Sequence, residues 1–159
     1  MPFESPKKLL TFTGNSRMVA GTGMRPLYQI TFGAQECWLT PTSFRLLLQL
    51  GIRRRQLADH SFSRESTGWM HANELNSGGL MSSPYITRLR QELAKSGISP
   101  TLIESDGANH YRLRIIKSLV KLDYDSLLSD KIDENLKVRL LLTRQFDDGK
   151  NQTSVGKKR

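Results

Sequence analysis

Residues 82–97 read SSPYITRLRQELAKSG, and this stretch decides the fold. Serine at 82 or 83 followed by Pro84 is the arrangement of a helix start: the hydroxyl caps, and proline sits where no intrahelical donor is needed. Gly97 supplies the stop. Ile86, Leu89 and Leu93 fall at i, i+3 and i+7 and form one apolar stripe, with Pro84, Thr87, Arg88, Gln91 and Lys95 around the opposite side and Arg90 nearer the flank. The spacing predicts a helix over 83–96 with a basic, polar face turned to solvent.

Outward from this helix, turn signals and apolar periodicity predict the remaining elements. Asn76-Ser77-Gly78-Gly79 marks a turn after a short helix at His71–Leu75, with Met70 and Leu75 facing inward. Residues 39–51, LTPTSFRLLLQLG, predict a first helix with Thr40 as cap, Pro41 at the first position, and Phe44, Leu47, Leu48 and Gly51 at helical spacing. The polar run ADHSFSREST (58–67) reads as a loop or broken helix. LYQITFGAQECWL (27–39) alternates around Gly33-Ala34 and predicts a hairpin, with a further strand at Leu9–Thr13. After the 83–96 helix, TLIESDGANHYRLRI (101–115) reads as strand, tight turn and strand, with turn chemistry from Asp106-Gly107 and Asn109.

The expected organisation is a flexible extension over 1–26, a folded domain over 27–116, an appended helical segment over 117–148, and a disordered basic tail over 149–159. Leu128, Ile132, Leu136, Leu140 and Phe146 lie near helical spacing in the appended segment. Such a stripe reads as core packing or as a dimer seam. The chain has 159 residues with 24 Lys and Arg against 15 Asp and Glu, a net charge of +9 that favours polyanionic partners. The charge is concentrated at 41–60 and in the tail, whereas 116–148 is near neutral. A single cysteine, Cys37, excludes an internal disulfide. No stretch approaches the roughly 18 apolar residues of a membrane span, and no secretory h-region is present, so a cytoplasmic protein is expected.

The order hairpin, helix, helix, turn, helix, hairpin is that of an α+β winged helix-turn-helix. LTPTSFRLLLQL, YITRLRQEL and LIESDGANHYRL resemble the effector domain of OmpR/PhoB-type transcriptional regulators, over roughly residues 27–115. In that family a T-x-x-E-F-x-L-L helix precedes a V-x-V-x-I-x-x-L-R-x-x-L recognition helix and an I-x-T-x-x-G-x-G-Y-x-L wing. Here the first-helix Glu is Ser43, the two wing glycines are Ala108 and His110, and Glu104-Ser105-Asp106-Gly107 holds no cation. The chain has no room for the family's receiver domain of about 120 residues, so phosphorylation control is not implied.

The resemblance implies sequence-specific binding of double-stranded DNA, with the 83–96 helix in the major groove and the 101–115 wing bracing on the backbone. It makes Arg88 the base-reading residue, and Arg90 and Tyr111 phosphate contacts. Independently, a guanidinium at Arg88 points away from the apolar stripe and can grip guanine O6 and N7 bidentately, with Thr87 and Gln91 as neighbours. Lys95 and Ser83, at the ends of the helix, and Arg53-Arg54-Arg55 are further backbone candidates. Each has an alternative: Arg88 and Arg90 as solvated charges, Tyr111 as packing, and the arginine run as a solvated helix end complementing the dipole. A homodimer on paired half-sites stays open. So does a winged helix used for protein contact through Trp69, Tyr85 and the C-terminal stripe.

Catalysis is not expected. No nucleophile elbow, phosphate loop or zinc-protease motif is present, and Asp123/Asp125 and Asp147/Asp148 read as solvated faces. Cys37, His60, His71 and His110 are scattered without paired spacing, so neither a metal nor a cofactor is expected.

Overall fold

Helix α1, Pro41–Arg55, is buried on almost every side: Ser43, Phe44, Leu46, Leu47, Leu48, Gln49, Leu50, Gly51, Ile52 and Arg54 are all buried. A helix covered all round must be packed between layers, and the rest of the chain supplies them. The computed structural model describes residues 8–19, 25–55, 69–75, 82–115, 119–129 and 137–145. The fold they form is mixed α+β, with two sheets.

The first sheet covers one side of α1. Strands β1 (Leu10–Val19), β2 (Arg25–Phe32) and β3 (Gln35–Leu39) run antiparallel, and β7 (Val120–Leu122) adds to the free edge of β1 in parallel, giving the order β3-β2-β1-β7. The hairpin between β2 and β3 turns at Gly33, where φ is +62°, as the Gly33-Ala34 signal predicts. Phe12 and Tyr28 bring the sheet onto the helix: the Tyr28 and Phe44 rings stack at 4.7 Å and Phe12 meets Phe44 edge-on at 6.2 Å.

Two expected boundaries are corrected. The 1–26 segment is not simply an extension, because β1 lies within it and buries Leu10 and Phe12 completely. Nor is 117–148 simply an appended helical segment, because it opens with β7, where Leu10, Thr11 and Phe12 pair with Val120, Lys121 and Leu122. Helix α4 (Tyr124–Ser129) follows, its start held by Asp123, whose Oδ1 accepts from Ser126 N and whose carbonyl accepts from Leu127 N. A last helix covers 137–145. Leu140 there is buried, but Val138, Leu141 and Leu142 are exposed. Ile132, Leu136, Phe146 and the 149–159 tail lie outside the described residues.

The second sheet lies on another side of α1, in the order β4-β6-β5: β4 (Met70–His71), β5 (Ile103–Ser105) and β6 (His110–Leu113). Between β4 and β5 come α2 (Ala72–Leu75), α3 (Ser82–Lys95) and a 3-10 turn at Pro100–Leu102. The expected short helix at His71–Leu75 therefore begins one residue later, because Met70 and His71 pair with β6.

Strand β1 bends where Thr13, Gly14 and Asn15 together face Gln29 on β2. Gln29 Oε1 accepts from Thr13 Oγ1 and Asn15 Nδ2, both at 2.8 Å, replacing the missing ladder bonds. Gly14 has φ +81°, and a Cβ there would fall 2.5 Å from Ser126 Cβ and 2.7 Å from its carbonyl carbon. Gly14→Ala combines left-handed strain of about 1–2 kcal/mol with a clash against the α4 backbone. We expect it to lower stability by about 2 kcal/mol or more, read as the shift of the urea unfolding midpoint at constant m.

Candidate nucleic-acid interface

The apolar stripe of α3 is buried as its spacing predicts, with Ile86, Leu89 and Leu93 each 0–1 % exposed. The opposite side carries Thr87, Arg88, Gln91 and Lys95, all exposed. The C-terminal end of the helix is fixed by local bonds. At the C-terminus Ile98 N donates to Leu93 O at 2.9 Å and Gly97 N to Ala94 O at 3.0 Å, with Gly97 at φ +81°; Ile98 and Leu93 are both buried beside this turn. That is a Schellman stop with its hydrophobic contact.

Glu92, which the sequence reading did not single out, ties α3 to α1. Its carboxylate accepts from Thr40 N at 3.0 Å, Thr40 Oγ1 at 2.9 Å and Ser43 Oγ at 2.8 Å. The charge therefore sits on the N-terminus of α1, where orphan amides and the helix dipole favour an anion. The acid that Ser43 meets in the first turn of α1 thus comes from α3. The Cys37 thiol lies alongside, 3.7 Å from Glu92 O. Burial pushes its pKa up, opposed by a hydrogen bond with Ser96 and reinforced by the Glu92 charge.

The arginine run divides. Arg53, Arg54 and Arg55 occupy the last turn of α1, inside the helix and at the end that suits cations. Arg53 and Arg55 are half-buried. Arg54 is 7 % exposed and donates through Nη2 to Leu113 O on β6. Burial, then the neighbouring Arg112, pulls its pKa down, against Glu104. Arg54 thus joins α1 to the second sheet, and the phosphate contact expected of it is corrected. The same correction applies to Tyr111, 7 % exposed within the core, whose place opposite Met70 makes it packing. Arg90 is half-buried and donates to Ile103 O at 2.8 Å, bracing α3 against β5. Ser83 lies in the first turn of α3, but its side chain lies outside the described residues.

The β5–β6 hairpin is organised by its own polar groups. Asp106 Oδ1 accepts from Ala108 N at 2.7 Å and His110 N at 3.1 Å, and Gly107 and Asn109 take the positive φ values, +79° and +68°. The left-handed positions of this turn are thus Gly107 and Asn109, while Ala108 and His110 need none. Across the strands Arg112 Nε meets Glu104 Oε1 at 2.8 Å, and its guanidinium lies 4.2 Å over the Trp69 ring. Trp69, expected as part of a partner surface, is half-buried under that cation.

No family model, curated protein or solved structure matches this chain. Among the described residues no helix is long and apolar enough to cross a membrane, and no three His, Cys, Asp or Glu side chains converge as a metal cluster. His60 lies outside the described residues.

Two measurements test this geometry. Glu92→Ala removes a charged acceptor shared by three donors, one of them the buried Ser43 hydroxyl, and should cost about 2–3 kcal/mol in urea unfolding, with Arg88→Ala close to neutral. The hydrogen bond from Ala108 N, ahead of the bond from His110 N and the His110 charge, holds the Asp106 carboxyl below its ordinary value. A depressed carboxylate stabilises the fold above the unfolded-state pKa, and that contribution is lost as pH falls through the folded value. In an NMR titration the Asp106 carboxyl should therefore move at lower pH than a free aspartate, with the amides of Ala108 and His110 following it.

Proposed function

We propose that this protein binds double-stranded DNA in a sequence-specific manner as a transcriptional regulator, using α3 of a winged helix-turn-helix as the major-groove reader. The observation that carries the reading is the exposed row Thr87, Arg88, Gln91 and Lys95 on a helix whose other side is wholly buried and tied down by Glu92, Arg90 and the Gly97 stop. Groove reading needs that combination. Bidentate hydrogen bonds to base edges reward a guanidinium whose backbone is held still, and the basic neighbours add counterion release. Arg88 reads a base, Thr87 and Gln91 flank it, and Lys95, Arg53 and Arg55 contact phosphate.

The hairpin serves as a brace. Its tip, Asp106-Gly107, carries an anion rather than a cation, and Arg112 is engaged with Glu104 and Trp69. One observation favours a second reading, contact with a protein: Val138, Leu141 and Leu142 on the 137–145 helix are about half-exposed, at i, i+3 and i+4.

Selection from random duplex DNA should enrich a motif, and binding should fall steeply with salt. Arg88→Ala should cost about 1–3 kcal/mol on the selected site and little on unrelated duplex, whereas Arg53→Ala should weaken all sequences alike. Equal losses on every sequence from Arg88→Ala would remove the base-reading role. Failure to bind any duplex at low salt would move the assignment to the protein-contact reading.

A further inference from the structure

His71 and His110, 39 residues apart in sequence, meet across the second sheet. They are directly paired between β4 and β6. Their neighbours Ala72 and Asn109 form a hydrogen-bonded pair, with Ala72 N donating to Asn109 O at 2.8 Å. In an antiparallel ladder the adjacent pair is then the non-hydrogen-bonded kind, where strands and side chains come closest. The other adjacent pair, Met70 and Tyr111, is buried, so strand alternation turns the two imidazoles to the opposite face. Their ring centres are 5.1 Å apart with planes at 81°.

We propose that His71 and His110 form a chelating site for a divalent first-row cation of the zinc, nickel or copper class, closing across β4 and β6. Two imidazoles on one tetrahedral zinc, at metal–nitrogen distances of about 2.0–2.1 Å, hold their ring centres roughly 5 Å apart. That is the separation the pair already has. Imidazole nitrogen is a ligand preferred by these metals rather than by magnesium or calcium. Asp106 stands where outer support for such a site is needed: its Oδ2 lies 2.9 Å from His110 Nδ1, while Oδ1 is held by the Ala108 and His110 amides. His110 Nδ1 makes no aligned hydrogen bond as the rings stand; a small rotation that turned Nδ1–H onto the carboxylate would leave the lone pair on Nε2, the carboxylate–histidine–metal arrangement. Water fills the remaining positions on this half-exposed face. A site across β4 and β6 does not depend on the DNA-binding reading.

The test is titration of the full chain with zinc chloride, followed by calorimetry and by imidazole ¹⁵N NMR, with cobalt(II) absorption as a second probe. One equivalent of zinc should shift the His71 and His110 nitrogens and raise the thermal midpoint. His71→Ala or His110→Ala should weaken binding at least about tenfold, and Asp106→Asn by about tenfold or more. His71→Gln replaces the alanine variant if the latter does not fold, and the wild-type NMR needs no variant. The proposal is overturned if zinc leaves both rings' resonances unmoved, or if the double variant His71→Gln/His110→Gln binds as tightly as the wild type.

Discussion

Helix α1 has almost no face left to solvent, and the polar groups it carries inward have to be satisfied by the elements that cover it. Glu92 of α3 receives the amide and hydroxyl of Thr40 and the hydroxyl of Ser43 at its first turn. Gln49, in the middle, donates to Leu75 O at the end of α2 and lies 3.4 Å from Arg139 of the 137–145 helix. Arg54, in the last turn, donates to Leu113 O on β6. A buried polar group without a partner costs about 1–3 kcal/mol, so Ser43, Gln49 and Arg54 do more than decorate the helix. They dictate where α3, α2 and the second sheet must lie, while Phe44 and the leucines fix the sheet on the other side.

The exposed face of α3 follows from that arrangement. Its stripe is spent on α1, its carboxylate on the α1 N-terminus, and Arg90 on β5, which leaves Thr87, Arg88, Gln91 and Lys95 pointing outward with little backbone freedom. A surface presented on a helix anchored in this way loses little entropy on binding, the condition under which directional hydrogen bonds contribute most. Asp106 gives the hairpin similar rigidity through local bonds, at the end of the molecule with no basic tip.

What could be read in advance was local. The α3 boundaries, its stripe and the outward position of Arg88 follow from residues within one turn of one another, and the hairpin at Gly33-Ala34 and the turn at Asp106 follow from backbone chemistry over four residues. What could not be read depends on pairing between distant segments. The alternation of β1 is broken at Thr13-Gly14-Asn15, so its extension to Val19 is hidden. Val-Lys-Leu at 120–122 is too short to announce a strand. Arg54 reads as one of three equivalent cations, and only the position of Leu113 distinguishes it. The two histidines look unrelated until the β4–β6 register places them opposite each other.

The parallel pairing of β1 with β7 sets an order of events during synthesis. About 110 residues separate Leu10 from Val120, so this contact has among the longest loops to close in the chain, and such contacts form late and slowly. Until residues 120–122 are available, the outer edge of β1 shows unpaired amides and carbonyls to its surroundings, the condition that invites pairing with another chain. Three residues far down the sequence thus act as a closing strip for the first sheet, and the nascent protein is most exposed to misassembly in the interval before they arrive.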